Sequence, residues 1–295
     1  MSSIVTDQGM VHYETFGSGR PVILLHGWIE SWGVWQATME ALSHEYRCYA
    51  LDFWGFGESG KKRDSYSVGD YMELVRQFMD VLGIAQAPII GHSMGGTAGL
   101  GAVVRNPDRI TSVCVIGAPI VGSSLSPALK IAGEPWAGSL AHTLLPALKL
   151  AIRLASPVIT RDPRWYDMVA RDLSATTVAS FFGSIRSLRR TDLRPRLPEI
   201  KAPVMGIYGG RDVIVDPHEY APLRAGVPHA RIEILPKSGH FPMLDEPERY
   251  LELVRSFLHQ PPPAPLAAPP LVAPTLAPPP APPVAPPTTP PQSGN

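Results

Sequence analysis

Three residues whose types together support acyl transfer are Ser93, Asp212 and His240, and each lies in its own short motif. Ser93 is the central residue of Gly-His-Ser-Met-Gly at 91–95, which follows an apolar run and precedes a helix-compatible stretch. This context forces a serine onto a sharp turn with its hydroxyl exposed. A serine hydroxyl is a weak nucleophile at neutral pH, so it needs a histidine to accept its proton and a carboxylate to orient that histidine. The chain order Ser93, Asp212, His240 is one that this mechanism uses.

The tetrahedral intermediate of acyl transfer carries an oxyanion, which needs two backbone N–H donors. Met94, the first residue after Ser93, supplies one donor at a helix N-terminus. The other is expected from the loop His26-Gly27-Trp28, where Gly27 permits a tight turn and leaves the N–H of Trp28 available. Removing one such donor typically costs about 3 kcal/mol of transition-state stabilisation. We therefore expect Trp28 and Met94 to form the oxyanion hole.

Short apolar runs alternate with helical patterns along most of the chain, which predicts an α/β fold with a mostly parallel sheet. A capping box of Ser67 and Asp70 begins a predicted helix at 68–82, and a second helix is predicted at 248–258. Parallel sheets place their sites at the carboxyl ends of the strands, where Ser93, Asp212 and His240 all fall. The predicted strands are 4–6, 11–15, 22–25, 47–51, 88–91, 112–116, 204–208 and 231–235.

The alternation stops between residues 119 and 198, where two long helical stretches, 140–154 and 163–188, replace the strands. An apolar helical insertion between two strands is expected to lie over one edge of the sheet as a lid. Its large apolar residues either pack the lid against the core or contact the substrate, and the sequence leaves both roles open. These residues are Trp136, Leu144, Leu148, Trp165, Tyr166, Phe181 and Phe182.

Five motifs, taken in order, resemble the signatures of the α/β-hydrolase superfamily, and the resemblance covers residues 3–259. It implies an eight-stranded, mostly parallel, doubly wound sheet of strand order 1-2-4-3-5-6-7-8. It also implies a core of 1–118 and 199–259 with a helical cap, 119–198, inserted after strand 6. The motifs are Leu-His-Gly-Trp at 25–28, Asp-Phe-Trp-Gly-Phe-Gly-Glu-Ser at 52–59, Gly-His-Ser-Met-Gly-Gly at 91–96, Gly-Arg-Asp at 210–212 and Gly-His-Phe-Pro at 239–242.

The resemblance also implies roles for single residues. Ser93 matches the family's nucleophile, Asp212 its acid and His240 its general base, while Trp28 and Met94 match the oxyanion donors. Serine in the nucleophile position argues against a haloalkane dehalogenase or an epoxide hydrolase, for which the family analogy would require aspartate.

Several neighbouring residues allow alternative interpretations. Residues 55–60 satisfy the dinucleotide pattern G-x-G-x-x-G after a strand, but a charged run follows where an apolar helix is required, so a tight turn is preferred. Asp216 competes with Asp212 for the acid role, although its place before a proline is typical of a helix N-cap. Asp245 is predicted to cap the last helix.

The remaining histidines and the two cysteines carry no chemistry of their own in this interpretation. His26 is expected to hold its loop by hydrogen bonds, and His92 to lie in the core or beside the site. No metal-ligand spacing occurs, so no metal and no cofactor are expected. In the family's strand order Cys48 and Cys114 would lie about 14 Å apart. A disulfide spans at most about 7 Å between Cα atoms, so both are predicted to be free thiols.

Composition limits the partners and the location. The 26 basic and 26 acidic residues balance, so no overall field favours nucleic acid or anionic lipid. The N-terminus does not resemble a signal peptide and no apolar run is long enough to span a membrane, so a cytoplasmic location is expected. Because 16 of the 34 prolines lie in the last 35 residues, 260–295 is predicted to be a disordered tail or a docking site for a proline-recognising partner.

Taken together, these features predict a serine hydrolase that cleaves small to medium hydrophobic carboxylic esters through an acyl-enzyme, as a carboxylesterase does. Three alternatives stay open: hydrolysis of a carbon–carbon bond in a ring-cleavage product, with the same triad; a small-molecule receptor on a hydrolase fold; and a scaffold that binds partners through its tail. A perhydrolase side activity is compatible with the first prediction. The sequence does not distinguish acyl from alcohol specificity.

Overall fold

The computed structural model of this chain describes residues 2–134, 136 and 141–259, with the backbone alone for 141–148. The strands are β1 (Ser2–Thr6), β2 (Gly9–Phe16), β3 (Arg20–Leu25), β4 (Tyr46–Leu51), β5 (Ala87–His92), β6 (Ile110–Ile116), β7 (Val204–Gly209) and β8 (Arg231–Leu235). The α-helices in the described part are α1 (Gln36–Leu42), α2 (Val68–Val81), α3 (Met94–Arg105), α4 (Pro127–Ala132), α5 (Ala141–Ile159), α6 (Trp165–Ala175), α7 (Val178–Arg190), α8 (Tyr220–Gly226), α9 (Pro242–Asp245) and α10 (Pro247–Leu258).

The eight strands form one sheet in the order β1-β2-β4-β3-β5-β6-β7-β8. The pairs β1–β2 and β2–β4 are antiparallel, and the other five pairs are parallel. Ile23 and Leu25 of β3 join the apolar cluster on one face of the sheet, while Val22 and Leu24 join the cluster on the other face. Strands covered on both faces are uniformly apolar, which is why short β-branched runs predicted them. The predicted strand order and fold class are confirmed.

The predicted start of α2 is confirmed in detail. The hydroxyl of Ser67 accepts a hydrogen bond from the N–H of Asp70, and the Asp70 carboxylate accepts one from the N–H of Ser67. This capping box satisfies two of the N–H groups that a helix start leaves unpaired. Gly83, with φ of 64°, follows the last residues of the helix.

The sequence prediction of one helix over 163–188 is wrong, because the chain forms α6 and α7 instead. Thr176 and Thr177 between them have extended backbones, and Thr177 starts α7 through a capping box with Ser180. The helical pattern of apolar residues continues across the break, so periodicity alone did not reveal it. We call residues 119–198 the helical insertion; its two ends meet where Val121 and Asp192 form an isolated antiparallel bridge.

Cys48 and Cys114 are buried free thiols on β4 and β6, as the sequence predicted. Burial raises the pKa of Cys48 to about 12 and raises that of Cys114 further, so both stay protonated and unreactive at neutral pH. None of the helices in the described part of the chain is both long and apolar enough to cross a bilayer. The predicted tail, 260–295, lies outside the described residues.

Candidate active site

Ser93 lies at the sharp turn between β5 and α3, with φ of 49° and ψ of −118°. A non-glycine residue in this region stores about 1–3 kcal/mol of strain and persists only where its surroundings enforce it. The turn is closely packed, because a Cβ atom at Gly91 or Gly95 would collide with the backbone of Gly95 or Leu25 respectively. The N–H of Ser93 donates to the carbonyl of Ile116 on β6 at 2.8 Å, which fixes the turn to the sheet.

Asp212 and His240 meet at the same edge of the sheet. The Nδ1–H of His240 donates to Oδ2 of Asp212 at 2.7 Å, and both side chains are buried. The other oxygen of Asp212 accepts from the N–H groups of Ile214 and Val215 at 2.8 and 3.0 Å. The carboxylate therefore has a fixed orientation, and it holds His240 in the tautomer whose Nε2 is a base.

The competing aspartates have other partners. Asp216 caps the short helical turn after it, accepting from the N–H of His218 at 2.9 Å, so its predicted capping role is confirmed. The predicted role of Asp245 is wrong, because Glu246 occupies the N-cap position of α10. Asp245 instead accepts from the N–H of Gly239 at 2.7 Å and from the hydroxyl of Thr160 at 2.7 Å. It thereby ties the loop that carries His240 to the end of α5.

The loop after β3 holds Trp28, and its geometry differs from the expectation in one respect. Gly27 is required because a Cβ atom there would collide with the carboxylate of Glu30, whereas the left-handed residue of the loop is Ile29, with φ of 54°. No described residue accepts a hydrogen bond from the main-chain N–H of Trp28 or of Met94. These are the two N–H groups that the sequence predicted as oxyanion donors, and both remain available for a ligand.

One cavity of about 940 Å³ has Ser93, His240 and Trp28 in its wall. The helical insertion supplies most of the remaining wall, which is largely apolar, and the indole of Trp28 donates to the carbonyl of Phe181 on α7 at 2.9 Å. Tyr166 does not line the cavity and lies against Arg153 instead, while the side chains of Leu144 and Leu148 lie outside the described residues. The insertion residues predicted from sequence that do line it are Trp136, Trp165, Phe181 and Phe182.

The alternative nucleotide-binding pattern at 55–60 forms a turn, and the next helix begins only at Val68. Gly55 and Gly57 have φ of 88° and 48°, which a turn requires. Among the described residues, no three His, Cys, Asp or Glu side chains lie close enough together to hold a metal ion.

Comparison with known proteins identifies the family of this fold. Residues 22–253 match the alpha/beta hydrolase family. The chain belongs to that family. A pimeloyl-[acyl-carrier protein] methyl ester esterase of Nitrosomonas europaea is 26% identical over 255 residues, which are 82% of this chain and 96% of that protein. An uncharacterized protein of Mycobacterium tuberculosis is 29% identical over 268 residues, 84% of this chain and 78% of that protein. The crystal structure of a hydrolase from Pseudomonas aeruginosa has a TM-score of 0.76 at 24% identity, over 88% of this chain and 98% of that chain.

Sequence reasoning missed one buried pair of this α/β hydrolase. Glu30 accepts from the N–H of Gly27 at 2.7 Å and from Nδ1–H of His92 at 3.0 Å, while Nε2–H of His92 donates to the carbonyl of His240 at 2.9 Å. Burial opposes charge on both side chains, but their attraction outweighs it, raising the pKa of His92 and lowering that of Glu30. This hydrogen-bonded pair connects the loop of Trp28 to the loop of His240.

No local pattern indicated this pair, since Glu30 and His92 are 62 residues apart in the chain. His26, by contrast, holds its loop as predicted. One ring nitrogen bonds the carbonyl of Gly27 at 2.7 Å, and the other accepts from the N–H of Phe53 at 2.9 Å.

Proposed function

We propose that this α/β hydrolase cleaves small to medium hydrophobic carboxylic esters through an acyl-enzyme on Ser93. The observation that carries the proposal is the 2.7 Å hydrogen bond between His240 and Asp212, because His240 lines the same cavity as the strained Ser93. The relative from Nitrosomonas europaea, named as a methyl ester esterase, supports the same class of bond.

In the proposed reaction, the hydroxyl of Ser93 attacks the ester carbonyl and its proton passes to Nε2 of His240. Asp212 holds the imidazole by Nδ1–H and stabilises the imidazolium that forms. The N–H groups of Trp28 and Met94 bind the oxyanion. His240 returns the proton to the departing alcohol, and then activates the water that releases the acid and regenerates Ser93.

The apolar lining of the cavity favours an apolar substrate. Phe181, Phe182 and Ile185 of α7 contribute apolar side chains to its wall. We infer that the helical insertion acts as a cap, which excludes water from the acyl group and strengthens the electrostatic interactions around the oxyanion.

The test compares two serine variants on a series of p-nitrophenyl esters. Ser93→Ala is expected to lower kcat by about 10⁴-fold or more, because the nucleophile is lost. Ser126→Ala is the matched control, since Ser126 lines the same cavity and its side chain caps no helix. Ester turnover that survives Ser93→Ala contradicts the proposal. Failure of the wild-type protein on every ester, with consumption of a ring-cleavage dienoate, would favour carbon–carbon bond hydrolysis instead.

A further inference from the structure

A second cavity, of about 690 Å³, lies along α7 and differs sharply in character from the first. Three arginines line it: Arg63, Arg186 and Arg190. We call it the arginine pocket. Val178 and Phe182 line both cavities, so the arginine pocket and the apolar cavity share a wall at the N-terminal half of α7.

Two of these arginines have no acidic partner among the residues that the structure describes. Arg186 and Arg190 are four residues apart on α7 and share one face of it, an arrangement in which like charges destabilise a helix. Within the described part of the chain, neither forms an ion pair. The Nε of Arg186 is buried and has no hydrogen-bond partner among the described residues. A buried donor without an acceptor is costly, and an anion in the pocket would supply the acceptor.

Arg63 is a fixed part of the wall. Its guanidinium stacks on Trp54 at 4.0 Å, donates to the carbonyl of Gln8 at 2.7 Å and lies 3.7 Å from the carboxylate of Asp70. Asp70 is itself engaged in the capping box of α2. Asp64, which is exposed, is the acidic residue among the residues lining the pocket. Arg63 is therefore partly neutralised by Asp70, and Arg186 and Arg190 carry the charge that is left without an acidic partner among the described residues.

The start of α2 also borders the arginine pocket. Ser67, the N-cap of this 14-residue helix, lines the pocket, and the N–H of Val68 donates to the hydroxyl of Ser187 on α7 at 3.0 Å. The partial positive charge of this helix N-terminus is already met by the carboxylate of Asp70 in the capping box, so recognition of an anion in the pocket depends on the arginine side chains.

We propose that the arginine pocket binds an anionic group, a carboxylate or a phosphate, at the far end of the ester substrate. This inference rests on the proposed esterase function. Arg186 and Arg190 lie one and two helical turns beyond Phe182, or about 6 and 12 Å along the axis of α7. A substrate that fits both cavities is an amphiphile whose ester and apolar chain occupy the apolar cavity. Its chain passes Phe182 and ends in an anion held by the two guanidinium groups, which match planar oxyanions in pairs of hydrogen bonds.

The kinetic test uses esters of matched length that end in a methyl group, a carboxylate or a phosphonate, on either the acyl or the alkoxy side. Turnover is followed by proton release. Wild type is expected to prefer the anionic esters through a lower KM. Arg186→Gln and Arg190→Gln are each expected to raise KM for the anionic esters about tenfold, with kcat and the neutral esters unaffected. Arg194→Gln is the control, because it removes one positive charge from an exposed residue paired with Asp192.

A binding test does not depend on turnover. Inorganic phosphate, at constant ionic strength, is expected to raise the Tm of wild type and of Arg194→Gln but not that of Arg186→Gln. Removal of the unpartnered guanidinium should leave the fold intact, and the Tm without phosphate checks this.

The outcomes separate this inference from the proposed function. If wild type hydrolyses neutral and anionic esters with the same KM, and if Arg186→Gln and Arg190→Gln do not change KM, the anionic subsite is rejected. The esterase function then stands. If no ester is turned over, both the esterase function and the substrate subsite are rejected. If phosphate still raises the Tm of wild type but not that of Arg186→Gln, the pocket is an anion site without a role in ester binding. Carboxylate and phosphonate arms show which anion the pocket selects.

Discussion

At the residue scale, the turn that holds Ser93 could be predicted from its local motif, whereas the contacts of Asp212 could not. The glycines around Ser93 predicted a sharp turn, and in the structure a Cβ atom at Gly91 or at Gly95 would collide with backbone. The choice between Asp212 and Asp216 depended on loop geometry, which no local pattern encodes. In the structure Asp212 contacts His240, whereas Asp216 pairs with His218 at an exposed position.

Asparagine at each of these two positions gives a matched comparison. Asp212→Asn is expected to lower kcat by about 10⁴-fold, because the amide favours the wrong tautomer of His240. Asp216→Asn is expected to leave kcat within about twofold, since asparagine is also a good N-cap. Steady-state hydrolysis of one p-nitrophenyl ester by both variants decides the matter. Equal losses in the two variants would refute the role of Asp212.

The buried pair of Glu30 and His92 makes a prediction about pH. The pKa of His92 is raised above 6.5, so its contribution to the free energy of unfolding is complete below pH 6.5 and is lost as the pH rises through the raised value. The pKa of Glu30 is lowered below 4.5, so its contribution is present above pH 4.5 and is lost as the pH falls through the lowered value.

The free energy of unfolding of wild type, relative to the double variant Glu30→Gln/His92→Gln, is therefore expected to be greatest between about pH 4.5 and 6.5 and to decline on both sides. Urea unfolding at a series of pH values measures it. A difference that does not change with pH would show that the two side chains are not an ion pair. Glu30→Gln alone is expected to destabilise more than the double variant, because it leaves a buried cation unpaired.

At the element scale, local signals decided what could be predicted. The capping box of Ser67 and Asp70 and the glycine after α2 lie within the helix's own sequence, so its bounds were predicted to within a residue. The break between α6 and α7 was missed because the apolar period crosses it. The role of Asp245 was also missed, since its partners Thr160 and Gly239 lie directly after α5 and in the loop before His240, both distant from the start of α10.

The start of α7 depends on the capping hydroxyl of Thr177. Thr177→Ala removes the capping hydroxyl that accepts from the N–H of Ser180 at 3.0 Å, and is expected to lower the free energy of unfolding by about 1 kcal/mol. It should also raise KM, because the first turn of α7 lines the apolar cavity. Ser156→Ala is the control, since that hydroxyl donates to a carbonyl of its own helix. An unchanged urea midpoint in Thr177→Ala would contradict the capping role.

At the scale of the whole molecule, topology brings the site together. Three parallel strands, β5, β7 and β8, end at one edge of the sheet, and the loops after them carry Ser93, Asp212 and His240. The strand order was predictable because motifs in the right order indicated the family. The contents of the cavity wall were not, because they depend on how helices far apart in sequence pack.

The segment 260–295 is not expected to take part in ester hydrolysis. It lies beyond the family match, which ends at residue 253, and beyond α10, which ends at Leu258. Deletion of residues 261–295 is therefore expected to leave kcat and KM for p-nitrophenyl esters nearly unchanged. A large fall in kcat for the truncated chain would assign this segment a part in the reaction.

Mass spectrometry of the protein after reaction with a fluorophosphonate tests whether Ser93 is the nucleophile. We expect one phosphonyl group per chain, carried by the peptide that contains Ser93, with a parallel loss of ester turnover and no adduct in Ser93→Ala. An adduct on a different residue, or full inactivation with Ser93 unmodified, would contradict the assignment of Ser93 as the nucleophile.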